Sequence, residues 1–253
     1  RDLKADAVFS NVGYLALAGA QKAGIRNAAL CSLNWADIYR HCRGNDSISN
    51  QIHSCYANAD VFFRATPGMT MSDLPNLVPV SPIAAVGENK RKQLNQDLQL
   101  SAKVKLVLVS MGGIASRLPI ERWPCLENVF WLVQESWGVN HPKAIVLETL
   151  KMNFSDLLAS CDALVCKPGY GSFVEAACCG TPVLYVDRPD WPETPALVAW
   201  LQQNVACREI SLGQSENGEF FEELETVRHS PLPTRPIPNG ADQVVKWLRR
   251  NFF

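Results

Sequence analysis

Short, almost wholly apolar runs recur along the chain, and most are followed by a stretch whose apolar residues return at helical spacing. The first such run, Ala5–Ser10, predicts a strand, and the small-residue stretch Tyr14–Ala23, closed by Gly24, predicts a helix. Asn27–Ser32 predicts the next strand, Asn34–Tyr39 a helical start, Ser49–Ala59 another helix and Val61–Arg64 a short buried strand. Pro67, Gly68, Pro75, Pro79 and Pro82 then mark a composition shift expected to connect two bodies. After the polar helix Asn89–Leu98, a second series opens at Lys105. Its strands are Leu106–Ser110, Asn128–Val133, Ala144–Leu147, Ala163–Cys166 and Val183–Val186, with a helix over Ser155–Ser160. Gly213–Asn239 is polar, Pro-rich and without clear periodicity, and Ala241–Asn251 predicts a closing helix.

Continuously apolar strands alternating with helices imply a parallel sheet buried on both faces. The fold class expected is therefore α/β, with Rossmann-like domains built on parallel sheets. The expected division is residues 1–83, 84–240 and the terminal helix 241–253. The first series holds few strands and opens abruptly at Arg1, so it reads as the later part of a Rossmann-like domain whose beginning lies outside this chain.

Bulk properties narrow the partners. A net charge of −1 gives no electrostatic case for nucleic acid or an anionic membrane surface. Charges or turn residues interrupt every apolar run before membrane-spanning length, and no apolar core follows the opening residues as in a secretory signal. Nine cysteines, odd in number and without a Cys-x-x-Cys, read as reduced structural residues, which fits a cytoplasmic location. The vicinal pair Cys178 and Cys179 leaves a redox reading open beside the structural one. His41, His53, His141 and His229 are scattered and read as surface or capping residues.

The run from Lys167 to Val186 carries the chemistry. A strand end leads through Gly169 and Gly171 into a helix expected to begin near Ser172 and to stop at Gly180. Glycines there would let the backbone turn tightly and approach a ligand closely, and the N–H groups that open a helix suit a phosphate. Glu175, about a turn into the helix, would reach the ribose of the same nucleotide. Gly112 and Gly113, at the end of another predicted strand, lie on the same sheet edge, where open α/β sheets bind ligands. Each feature has a plainer reading as well. The glycines could form an ordinary turn, Glu175 could be a solvated glutamate favourable to the helix dipole, and Lys167 could be an exposed strand end. Asn34 could cap a helix with Trp35 in the core, or both could meet a substrate. Asp162, at a strand start, reads as structural.

Gly112 and Gly113, then Asp156 to Leu158, Cys161 to Val165, the Gly-rich turn and Glu175 follow one another in an order that resembles the C-terminal half of a GT-B glycosyltransferase. The group is that of the peptidoglycan N-acetylglucosaminyltransferase (family 28 C-terminal domain), and the glycosyltransferase-like region of L-arabinokinases is also similar. The resemblance is strong over residues 105–200 and weak before 85. It implies a GT-B-like fold with two Rossmann-like domains, the N-terminal one incomplete in this chain and facing the acceptor. The second would bind a nucleotide-diphosphate sugar, with UDP the leading nucleotide. Gly112, Gly113, Lys167, Gly169, Tyr170, Gly171 and Ser172 would face the diphosphate, and Glu175 would accept from the ribose hydroxyls. Glu193 and Thr194, in the polar segment Arg188–Thr194, would contact the donor sugar. The implied chemistry is transfer of the sugar to an acceptor hydroxyl without a metal or further cofactor. The acceptor-domain loop and base that such enzymes place in their first strands are not found in this chain, so no catalytic residue is assigned. A nucleotide- or sugar-binding module without transfer activity and a sugar-nucleotide epimerase are the other readings.

Overall fold

The computed structural model describes residues 4–112, 117–231 and 233–253. These form two compact units, residues 1–83 with 189–196 and 237–253, and residues 84–188 with 197–236. The segment 189–196 and the terminal helix thus belong to the first unit, although sequence order had attached the former to the second body.

In the first unit, β1 (Ala7–Ser10), β2 (Arg26–Cys31), β3 (Val61–Ala65) and β4 (Leu77–Val80) form a parallel sheet in sequential order. One face carries α1 (Tyr14–Ala23), α2 (Trp35–Arg43) and α3 (Ser47–Ala57), whose Leu17, Ala36, Ile38, Ile52 and Tyr56 pack with Ala29 and Phe62. On β3, Phe63 meets Trp247 of α10 (Gly240–Asn251) edge-on at 5.3 Å. β4 falls inside the Pro-rich stretch expected as a connection. It is an edge strand, where Pro79 and its missing N–H are tolerated. Local chemistry sets the helix starts. Asn34 Oδ1 accepts from Asp37 N–H at 2.8 Å, and Asp46 with Ser49 closes a capping box on α3, each cap worth about 1 kcal/mol.

The second unit is a six-stranded parallel sheet in the order β10 (Cys207–Ile210), β9 (Val183–Val186), β8 (Ala163–Cys166), β5 (Lys105–Ser110), β6 (Val129–Val133), β7 (Ala144–Val146). Read from β5, the chain winds outward through β6 and β7 and then returns to β8, β9 and β10 on the other side. That is the 3-2-1-4-5-6 order of the doubly wound sheet, and its switch point lies between β5 and β8. Alternate strand residues enter two separate cores. Leu106, Leu108, Leu164, Cys166, Val183 and Tyr185 face one side, with Leu94 of α4 (Arg91–Asp97), Leu157 of α5 (Phe154–Ser160), Phe173 of α6 (Tyr170–Cys179) and Leu201 of α7 (Thr194–Asn204). Val107, Val109, Ala163, Val165, Leu184 and Val186 face the other, with Trp123, Trp131 and Phe220.

The polar stretch after Gly213 is more ordered than its composition suggests. It contains α8 (Leu212–Asn217) and α9 (Phe221–His229). Ser211 and Gln214 form a capping box on the first, and Leu224 and Val227 bury the second. No helix among the described residues is long and apolar enough to cross a membrane.

Candidate functional site

The two strands of the switch point bring Gly112 and Lys167 together. β5 and β8 pair with Ser110 level with Cys166, so Gly112 and Lys167 emerge from neighbouring strand ends. A Cβ built on Gly112 would stand 3.8 Å from Lys167 Cε, and at φ +67° this position favours glycine. Gly113, assigned with it, lies outside the described residues.

The helix after β8 starts earlier than expected. α6 begins at Tyr170 with Gly169 as its N-cap, and its first internal bond runs from Phe173 N–H to the Gly169 carbonyl at 3.1 Å. Gly171 and Ser172 therefore sit in the first turn, ahead of that bond, and no side chain caps the helix. Neither glycine supplies the tight turn expected. Gly169 has extended backbone (φ −169°) that any residue can adopt, and Gly171 is helical. At Gly171 an added Cβ would meet nothing within 4 Å, and at Gly169 only the Lys167 carbonyl at 4.0 Å. The backbone is bare towards open space.

Two charged groups flank this helix start. Lys167 is half-buried, and no hydrogen bond or ion pair joins it to a described residue. Burial, and after it the positive charge of Arg188, pulls its pKa below the ordinary lysine value. Glu175, the sixth residue of α6, is half-buried rather than solvated, and its side chain likewise has no hydrogen-bond or ion-pair partner among the described residues. Burial alone pushes its carboxyl above the usual range. Two clusters elsewhere in this unit show charges matched within the chain. Asp162 accepts from Leu106 N–H at 2.8 Å and pairs with Arg91 at 2.5 Å and Arg228 at 3.4 Å, the structural role expected of it. Asp156 is held well below the ordinary carboxylate value by Lys90, the Glu88 N–H and Asn153. Partly buried charges without a partner are costly.

Glu193 and Thr194 are in the first unit and both are buried. Glu193 Oε2 accepts from Trp191 Nε1 at 3.2 Å, whereas Oε1 is buried without a partner. Trp191 meets Trp35 edge-on at 6.3 Å, and Trp35 is 43% exposed. The Cys31 thiol is pushed up by burial, and the nearby Glu193 carboxylate adds to the effect.

Two further readings change with the structure. His141 is buried rather than superficial, with Nδ1 accepting from Lys143 N–H at 3.1 Å and Nε2 3.0 Å from the Trp123 carbonyl. All nine cysteines are free, and burial pushes the Cys178 thiol up to about 11, which opposes thiolate formation. Among the described residues no three His, Cys, Asp or Glu side chains converge as metal ligands do.

No protein-family model matches the chain. A stretch of 209 residues is 25% identical to the L-arabinokinase of Arabidopsis thaliana, a match that takes in 77% of this chain and 19% of that protein. The chain thus spans about a fifth of this curated relative. Among solved structures, the glycosyltransferase of kitacinnamycin superposes with a TM-score of 0.62 at 14% identity, over 98% of this chain and 72% of its own. The UDP-GlcNAc 2-epimerase of Neisseria meningitidis, bound to UDP-GlcNAc, superposes with a TM-score of 0.63 at 13% identity, over 99% and 78%. These likenesses cover nearly the whole chain and show its architecture: it has the GT-B fold, with two parallel Rossmann-like sheets.

Proposed function

We propose that the second unit binds a nucleotide-diphosphate sugar at the start of α6, and that the protein transfers the sugar to an acceptor hydroxyl. The observation that carries this reading is the pair of partly buried charges, Lys167 and Glu175, whose side chains have no partner among the described residues, beside an uncapped helix start at the switch point. The helix N-terminus and Lys167 meet the diphosphate, Gly112, Gly169 and Gly171 leave room for its approach, and Tyr170 and Ser172 line the same turn. Glu175 accepts from the ribose hydroxyls. UDP is the nucleotide favoured, in keeping with the ligand of the Neisseria epimerase. During transfer the leaving diphosphate gathers charge that these donors stabilise without a metal. Glu193 and Thr194 are proposed as donor-sugar contacts, with the unsatisfied Oε1 of Glu193 as acceptor.

The likeness to an epimerase favours a second reading, in which the same bound nucleotide-sugar is inverted at a ring carbon. Both readings share the nucleotide site, and product analysis separates them. Released UDP with a glycosylated acceptor means transfer, and a stereoinverted sugar means epimerisation.

The binding step is tested by thermal denaturation with UDP, ADP, GDP and dTDP, using Glu175→Ala as control. A ligand at one hundred times its Kd stabilises by about 2.7 kcal/mol. A shift with one nucleotide that is lost in the variant supports the site. No shift with any of the four removes the reading.

A further inference from the structure

We propose that the first unit seats the acceptor in a cavity at the carboxyl ends of β2 and β3, and that this cavity takes an unphosphorylated sugar in preference to a phosphate ester or a flat aromatic acceptor. The inference rests on the transfer reading given above and names the class of molecule that receives the sugar.

Three separate segments build the cavity, whose volume of about 530 Å³ is in the usual range for small-molecule sites. Asp37 comes from the first turn of α2, which follows β2. Thr70, Ser72 and Asp73 come from the loop after β3, and Pro192 and Pro195 from the segment 189–196. All belong to the first unit. Carboxyl ends of parallel strands are where open α/β sheets bind ligands. Glu193 and Thr194, the proposed donor-sugar contacts, lie in the chain between Pro192 and Pro195, so a guest in the cavity is next to the donor sugar.

The loop wall is held by the chain itself. Met69 N–H donates to the Ser32 carbonyl at 2.7 Å, and Arg64 Nη1 donates to the Thr70 carbonyl at 3.0 Å. A Cβ added at Gly68 would stand 2.6 Å from the Ala65 carbonyl oxygen, so glycine is what lets the loop pass this close. Met71, 3% exposed, enters the core with its backbone in the left-handed region at φ +49°. Thr70, Ser72 and Asp73 around it stay exposed. Polar groups already in place cost little to order on binding.

The lining chemistry sets the class of guest. Asp37 spends both oxygens within the chain, Oδ2 on Asn34 Nδ2 at 2.6 Å and Oδ1 on Arg40 at 3.2 Å. Asp73 meets Arg40 at 3.4 Å and His53 at 3.0 Å with Oδ2 alone, and its Oδ1 has no partner among the described residues. Carboxylate and hydroxyl oxygens accept hydrogen bonds, so the guest must bring donors, as the hydroxyls of a sugar do. No Lys, Arg or His is among the described lining residues, and Arg40 is shared between the two aspartates. A phosphate would therefore face two carboxylates with no cation of its own. No described lining residue is aromatic, so a flat acceptor finds no ring to stack on.

Calorimetric titration of the chain, with and without UDP, ADP, GDP or dTDP, tests the inference. The probes are glucose, galactose, arabinose and N-acetylglucosamine, then glucose 6-phosphate and galactose 1-phosphate, and quercetin as the flat aromatic. At least one free sugar should bind more tightly than either ester and than quercetin by about tenfold or more. Asp73→Asn should weaken that sugar by about tenfold and narrow its margin over the esters, because the repelling carboxylate is gone. Ser72→Ala, at an exposed hydroxyl, should weaken it by about threefold and gives the decision should Asp73→Asn not fold. Sugar binding unchanged in both variants, an ester or quercetin bound as tightly as every free sugar, or no sugar bound under any condition overturns the inference. Binding of a nucleotide in the same titrations then leaves the nucleotide reading standing. Sugar binding that the variants weaken, without binding of any of the four nucleotides, keeps the cavity as a sugar site and removes its role as acceptor site together with the transfer reading.

Discussion

The charged groups that follow the strands of the two sheets are arranged differently. In the first unit they satisfy one another. Asn34 bonds Asp37, Arg40 pairs with Asp37 at 3.2 Å and with Asp73 at 3.4 Å, and His53 lies 3.0 Å from Asp73. In the second unit, the Lys167 and Glu175 side chains have no such partners among the described residues, whereas Arg91 and Arg228 pair with Asp162 at the amino end of the same sheet. A matched cluster is explained by the stability it adds, whereas the unmatched, partly buried charges are the ones to which the proposed nucleotide site gives a role. Glu193 departs from this pattern in the first unit, as a buried carboxylate with one oxygen unsatisfied, and His53 Nε2, although close to Asp73, makes no hydrogen bond.

The contrast within the second unit can be broken by mutation. Asp162→Ala leaves the Leu106 N–H without its acceptor, removes the carboxylate that Arg91 and Arg228 share, and is expected to lower the unfolding free energy by about 2–4 kcal/mol. Its nucleotide affinity, measured in the remaining folded protein, should be unchanged. Glu175→Ala should do the opposite, weakening nucleotide binding by about 1–3 kcal/mol while unfolding in urea moves by less than about 0.5 kcal/mol. A large stability loss with intact binding would make Glu175 a structural residue.

Titration sharpens the same point. The folded-state pKa of Glu175 lies above its ordinary value of 4.5, so the protonated form is favoured in the fold. Its contribution to stability is present below the unfolded value and is lost as pH rises through the folded one. Binding needs the ionised carboxylate, so affinity should fall as pH drops through that raised pKa, and Glu175→Gln should remove this limb. Lys167, lowered from 10.5, sets the other limb: affinity falls as pH rises through its depressed pKa. Calorimetry across pH in two buffers checks both signs.

The smallest effect is the most discriminating for the glycines. Gly171→Ala places a methyl in open space on a helix, so it should stabilise the fold by about 0.4–1 kcal/mol. Nucleotide affinity should nevertheless fall, because that space belongs to the ligand. Equal affinity in the variant would assign Gly171 no part in binding.

Much of this was legible in the sequence because apolar runs bounded by turn residues mark parallel strands well. Ala163–Cys166 and Val183–Val186 form as expected, and the strand ends that carry Gly112 and Lys167 lie side by side. What escaped depends on pairing rather than on pattern. Strand order, and hence the switch point between β5 and β8, is a long-range property. β4 was hidden by Pro79, which only an edge strand tolerates, and α8 and α9 were hidden by a polar surface covering Leu224 and Val227. The missing partners of Lys167 and Glu175 become visible only once their neighbours are placed.

The central claim is that a nucleoside diphosphate sits on the bare start of α6. The most direct measurement is amide NMR of the chain titrated with UDP. The claim predicts the largest shifts and the strongest exchange protection at the N–H groups of Gly171 and Ser172, lost in Glu175→Ala at the same ligand concentration. Binding that leaves those amides unmoved and perturbs another part of the chain would contradict it.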